Sequence, residues 1–195
     1  ARGTRIDSLL CPEDDETHQT TRYAREGGNW ARGNYAANAC MGAFSTNWRA
    51  GAGPEAERWL SPLTRGVMGA NVAASIKDIT DGTTKTYLCG ERYINVDHYD
   101  TGKHSGDNET WCTGANNDNF RSASELPRSD KPGLGPNGEA SRSDGSKIFG
   151  SAHPSVWHVA WCDGHVEAMS YDIDPNVHRC NANRSDGRLD CGTGG

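Results

Sequence analysis

Apolar residues in this chain rarely recur at helical spacing. The segment Pro54-Glu55-Ala56-Glu57-Arg58-Trp59-Leu60 predicts one or two helical turns begun by Pro54, with Leu60 and Leu63 inward until Pro62 disturbs the register. Strand signals are stronger. Thr86 to Ile94 reads as a strand, led in by Ile79-Thr80-Asp81-Gly82, whose Asp-Gly pair predicts a turn. Val156 to Cys162 runs into Asp163-Gly164 and returns as His165 to Met169, the strongest short-range hairpin signal a sequence offers. With Asp163-Gly164 as a two-residue turn, Trp161 faces Val166, Val159 faces Ala168 and Trp157 faces Ser170 on one apolar side. Cys162 with His165, Ala160 with Glu167 and His158 with Met169 then make a mixed opposite side.

The stretch 101–147 is dense in turn formers, with GDNET, GANNDN, SDKPGLGPNG and RSDGSK. A run that long inside a compact domain reads as a functional or interaction loop, here tied down by Trp111 and Cys112. No internal repeat is present. The 195 residues suit one domain, with the loop-rich insertion at about 101–147, a C-terminal hairpin at about 149–171 and a cysteine-containing tail. Its 24 Gly and 8 Pro fall short of a low-complexity composition, and six Trp, six Tyr and three Phe supply core material. A formal charge of −6 lacks the counterion-release contribution of nucleic-acid binders, so DNA and RNA are not expected partners. No run approaches a membrane span, and the first eight residues have no hydrophobic centre, so neither a signal peptide nor an anchor is expected in this form.

Seven cysteines stand singly, at 11, 40, 89, 112, 162, 180 and 191, with no CxxC pair. In a Gly-rich chain this dispersion predicts disulfide staples of unknown connectivity and hence an oxidising, extracytoplasmic setting. An odd count leaves at least one thiol free or joined to another chain.

Phe149-Gly150-Ser151-Ala152-His153-Pro154, with nine residues between His153 and Asp163-Gly164, resembles the H-x9-DG signature of the bacterial prepilin-type processing-associated family, also known as domain of unknown function 1559. Further segments agree in order: Leu10-Cys11-Pro12, Asn34-Tyr35-Ala36-Ala37-Asn38, Gly66-Val67-Met68, Asp78 to Thr86 with Asp81-Gly82, and Gly90-Glu91. The resemblance implies a surface or secreted protein with a globular head behind a pilin-like N-terminal helix, which is missing here, so the chain looks like the head alone. It carries no catalytic residue, and His153, Asp81, Gly82, Gly90, Glu91, Asp163 and Gly164 enter as structural motif positions.

His153 and Asp163 invite reading as a catalytic pair, but ten residues of extended strand separate them by on the order of 30 Å. The plainer reading gives Asp163-Gly164 the turn and His153-Pro154 the strand entrance. Cys162, His165, His158 and Glu167 share a face, yet only Cys162 and His165 oppose each other directly, too few ligands for tetrahedral zinc. Asp172, Asp174 and Asn176 have the spacing that opens a calcium loop, but Val177 replaces the turn glycine and Asn183 the closing glutamate. Oxygen-rich turns containing Asp107, Glu109 and Asp118 could hold calcium or be ordinary turns. G-x-S-x-G, HExxH, P-loop and dinucleotide fingerprints are missing, and Ser151 does not face His153 as nucleophile to base. Trp157 and Trp161 read as core; Trp30, Trp48 and Trp111 stay open between core and a sugar-binding surface.

These features predict an α+β domain, mainly antiparallel sheet with long disulfide-stapled loops, similar to a pilin-like head. The expected role is a non-catalytic extracellular or cell-surface structural subunit that meets other protein chains, as a homo-oligomer or in a larger assembly, with no cofactor required. The alternative is a secreted, calcium-dependent, lectin-like module.

Overall fold

The computed structural model describes residues 4–13, 19–20, 30–40, 65–69, 72–101, 104–114, 116–131 and 145–187. The helix expected at 54–60, Trp48 and Cys191 lie outside them, as does the side chain of Trp30. In chain order the strands are β1 (Gln19–Thr20), β2 (Trp30–Ala31), β3 (Tyr35–Asn38), β4 (Met68–Gly69), β5 (Val72–Ala73), β6 (Tyr87–Glu91), β7 (Phe120–Arg121), β8 (Arg128–Ser129), β9 (Gly150–Ser151), β10 (Val156–Trp161) and β11 (Val166–Ser170). Among the described residues one α-helix, α1 (Pro175–Ala182), follows. The fold is α+β, organised on a five-stranded sheet in the order β11-β10-β6-β3-β7. All its pairings are antiparallel except β3 with β7.

The hairpin forms, with a turn one residue longer than Asp163-Gly164 alone. Trp161 N–H donates to His165 O at 2.9 Å, and Gly164 N–H donates to Trp161 O at 2.9 Å. Cys162-Asp163-Gly164 is therefore a three-residue loop, and its last residue takes φ +95°, open to glycine without strain. The Asp163 carboxylate accepts from His165 N–H at 3.1 Å and stiffens the turn. The register shifts by one from the expectation: Trp157 opposes Met169, His158 opposes Ala168, Val159 opposes Glu167 and Ala160 opposes Val166. Cys162, His165, His158 and Glu167 accordingly do not share a face, because His158 now points away from Glu167 and His165.

Trp157, Val159 and Trp161 are buried as the alternation requires. They meet Tyr87 on β6, Phe149 before β9 and Ala182 on α1 in one cluster. Tyr87 approaches Trp157 and Trp161 edge-on at 5.6 and 4.8 Å, and Phe149 stacks on Trp157 at 5.1 Å. The helix was not foreseen. It starts because Asp174 Oδ1 accepts from Asn176 N–H (2.8 Å) and Val177 N–H (3.2 Å), with Pro175 at the first position. It carries His178 into the core among Tyr87, Phe149 and Trp157.

The disulfide staples expected of Cys11, Cys40, Cys89, Cys112 and Cys162 are not seen; all five are thiols. Cys40 lies in the core cluster, Cys11 is buried outside it and Cys112 is exposed. Cys180 is disulfide-bonded. What orders the described part of 101–147 is charge and backbone bonding. Asp107, fully buried, accepts from both Arg32 and Arg92, and Arg92 and Arg121 each reach Gly106 O. The same stretch supplies β7 to the main sheet and β8, which pairs in parallel with β9.

Candidate functional site

The sheet buries the side that bears Trp157 and Tyr87. Its other side carries Tyr35 and Ala37 from β3, Cys89 and Glu91 from β6, His158 and Ala160 from β10, and Val166 and Ala168 from β11. Near the middle of that side, Glu91 is only 2% exposed. Its Oε2 accepts from His158 N–H at 2.7 Å and lies 3.2 Å from His158 Nδ1. Its Oε1 is turned toward His153, whose Nε2 stands 3.6 Å away. The same Nε2 stands 3.5 Å from Cys11 Sγ. Cys11, 4% exposed, follows a 3-10 turn at Asp7–Leu9 and is fixed by its N–H donating to Asn34 Oδ1 at 2.8 Å. His153 is set in place by the Tyr171 hydroxyl, which donates to His153 O at 2.8 Å.

Thiol, carboxylate and imidazole thus converge, with their ligand atoms all within 4.8 Å of one another. His158 flanks the group, its ring 4.8 Å from that of His153 at 77°. Negative charge here is felt by the neighbours. Burial, and then the proximity of Glu91, Cys11 and Cys89, pushes the Tyr35 hydroxyl up to about 12. Tyr171 is raised by burial first, then by Asp130, Glu91 and Cys11. Such a cluster can bind a cation or pass a proton between imidazole and carboxylate.

A cleft of about 460 Å³ opens beside this group, its lining including Leu9, Tyr35, Trp111, Phe120, Glu109 and Asp118. Of the calcium candidates, Glu109 Oε2 accepts from Thr113 and, at 2.7 Å, from Asn116, and Asp118 Oδ1 accepts from Glu109 N–H at 2.8 Å. Burial pushes the Asp118 carboxyl up to about 6 against the opposing pull of Arg92. Asp107 is committed to two arginines, and Asp174 caps α1. Asp172 is exposed, its N–H donating to Ser170 Oγ at 3.1 Å.

The other motif positions have separate tasks. Asp81 accepts from Asp186 N–H (2.7 Å) and Gly187 N–H (3.1 Å), fastening the segment after α1. Asp163 contacts His165 Nδ1 at 2.6 Å in the hairpin turn, at the far end of β10 from His153, so the two form no pair.

A family model described as a protein of unknown function (DUF1559) matches residues 1–176. The chain belongs to the DUF1559 family. No curated protein and no solved structure matches it. Among the described residues of this DUF1559 chain, no helix is long and apolar enough to cross a membrane. Three segments that carried the resemblance, Leu10-Cys11-Pro12, Gly90-Glu91 and His153-Pro154, meet at the thiol–carboxylate–imidazole group. The sequence marks His153 and Glu91 as structural motif positions and Cys11 as a candidate disulfide, and does not join them, because Cys11 and His153 are 142 positions apart and no local spacing links them.

Proposed function

We propose that this DUF1559 chain is a non-catalytic, pilin-like structural or assembly subunit that works outside the cell or on its surface through contacts with other protein chains. The observation that carries this reading is β11. It is the outer strand of the main sheet, its residues are exposed apart from half-buried Met169, and Val166 is 65% exposed. An edge of this kind, with one row of backbone donors and acceptors unused by the sheet, is a template for strand addition. The apolar half-exposed positions beside it, Val156 and Ala160, extend the surface that a neighbouring subunit would cover. Electron microscopy and sedimentation of native material test the reading. Polymers or defined oligomers that dissociate on Val166→Lys, with the fold intact, are expected; a monomer at all concentrations would overturn it.

The cleft beside Tyr35, Trp111 and Phe120 favours a second reading, carbohydrate binding with or without calcium, since aromatic faces and the carboxylates of Glu109 and Asp118 line it together. Glycan-array binding that vanishes in Trp111→Ala would move the assignment to that class.

A further inference from the structure

We propose that Cys11 Sγ, Glu91 Oε1 and His153 Nε2 form a three-ligand site for a divalent transition metal, zinc above all, with a fourth position left to water or an exchangeable ligand. This goes beyond the assembly role, which needs no metal.

The donor set is the first argument. Thiolate, imidazole and carboxylate are together the ligands of zinc and its neighbours, whereas calcium and magnesium take oxygen alone. Spacing is the second. Metal–ligand bonds of about 2.0–2.3 Å in a tetrahedron hold the ligand atoms about 3.3–3.6 Å from each other. Cys11 Sγ and Glu91 Oε1 stand 3.5 and 3.6 Å from His153 Nε2. The imidazole–carboxylate gap is too long for an N–H···O hydrogen bond and right for two atoms sharing one ion.

Orientation is the third. His158 occupies Glu91 Oε2 through both its N–H and Nδ1, which leaves Oε1 aimed at His153. A ligand carboxylate steadied by such an outer partner binds its metal more tightly. Charge is the fourth. Glu91 is buried, and among the described residues its ion-pair partners are the two imidazoles. A dication would compensate both this carboxylate and a Cys11 thiolate inside a site that water penetrates poorly. His153 is 21% exposed at its side chain and offers the route in from solvent.

The three ligands come from the N-terminal turn, the sheet's central strand and the approach to β10, so the ion would fasten the N-terminal segment to the sheet. Coordination replaces the S–H bond of Cys11 by a sulfur–metal bond and releases that proton to solvent, so affinity rises with pH.

The test uses the full chain, reduced with a phosphine, stripped with chelator and titrated with Co²⁺. One equivalent should give a thiolate-to-cobalt charge-transfer band together with the visible bands of a four-coordinate ion, and Zn²⁺ should bleach both and raise Tm. Cys11→Ser should abolish the charge-transfer band, whereas Cys112→Ser and Cys162→Ser keep it. His158→Ala should retain the band and weaken binding by about 10–100-fold. Where Cys11→Ser fails to fold, Glu91→Gln, which preserves the acceptor for His158, reads the same loss of one-equivalent binding. Absence of the band in the unaltered chain, its survival in Cys11→Ser, or full affinity in Glu91→Gln would overturn the site. A metal-free protein could still assemble through β11, and a metal-binding one could still be monomeric, so the two readings fail separately.

Discussion

A Cβ on Gly90 would stand 2.6 Å from Cζ3 of Trp157. Phe149 Cδ1 and His158 O close the same space at 3.3 and 3.2 Å. Glycine at this point of β6 lets the indole of Trp157 come close to the backbone, and Glu91 follows one residue later on the opposite side of the sheet. Gly90→Ala must displace Trp157 within a filled cluster and is expected to destabilise by about 1–3 kcal/mol. The measurement is chemical denaturation. Because Trp157 abuts the strand that bears Glu91, the variant should also lower the affinity of the Cys11–Glu91–His153 group for Co²⁺. An unchanged midpoint would mean that the indole has room to move.

Trp157, Val159 and Trp161 at every second position before Asp163-Gly164 made β10 and its buried side legible, yet they could not set the register. That information had to come from β11, whose residues are exposed except Met169 and so impose no inward pattern. Asp163-Gly164 fits a two-residue or a three-residue loop equally, since both place the glycine at positive φ. Strands β7, β8 and β9 contain two residues each, too few for any period to show, and they form by pairing with distant segments. The helix signal at Asp174-Pro175, a capping carboxylate before a proline, is present in the sequence, but the helix it opens has only eight residues, too short a run for a clear helical period. The site was illegible for a different reason: its ligands come from three segments far apart in the chain, and only the folded sheet brings them within reach.

Asp107 bridges two buried guanidiniums, so Asp107→Ala removes the carboxylate that Arg32 and Arg92 share. Loss of one partner from a buried ionic group costs about 3–5 kcal/mol. The expected result is a chain unfolded or close to it at ordinary temperature, with faster proteolysis between residues 104 and 118. Cys112→Ser, in contrast, should leave stability within about 0.5 kcal/mol, because that thiol is exposed and its contact, Thr110 Oγ1 at 3.6 Å, is only two residues away in the chain. Equal effects of the two substitutions would refute the assignment of loop order to the arginines.

His178 is buried among aromatic rings, and neither ring nitrogen has a hydrogen-bond partner among the described residues. Burial, with a smaller contribution from Arg179, pushes its pKa down from 6.5 to about 4. Between those values the unfolded chain binds a proton that the folded chain refuses, so stability falls as pH drops from 6.5 toward 4, on the order of 3 kcal/mol from this group. Asp118 acts in the opposite sense. Its carboxyl is raised from 3.8 to about 6, so the folded state keeps a proton that the unfolded state has lost, and stability declines as pH rises across that window. The two largely offset one another. Melting curves of His178→Phe should therefore show Tm falling from pH 4 to 6, and those of Asp118→Asn should show it rising. Parallel curves for both variants and the parent would contradict the environments assigned to these groups.

The state of the cysteines can be read by alkylation. Cys11, Cys40, Cys89, Cys112 and Cys162 are thiols, so denaturing the chain without reductant and adding iodoacetamide should label at least five sites by mass spectrometry. Under native conditions the order of reaction follows exposure and thiolate content. Cys112, exposed, should react first. Cys162 is half-buried, and burial, aided by Asp163 and Cys89, lifts its pKa from 9.0 to about 11. Two pKa units remove about 99% of the thiolate present at a given pH below 9, so Cys162 should lag an ordinary thiol by about a hundredfold. Cys89 is raised by burial as well and should lag with it. Zn²⁺ should protect Cys11 alone, since among these thiols only Cys11 is placed with Glu91 and His153. Labelling of fewer than five sites in the denatured chain would restore the disulfide-stapled picture, and with it a fold held by covalent links where buried arginine–aspartate pairs now suffice.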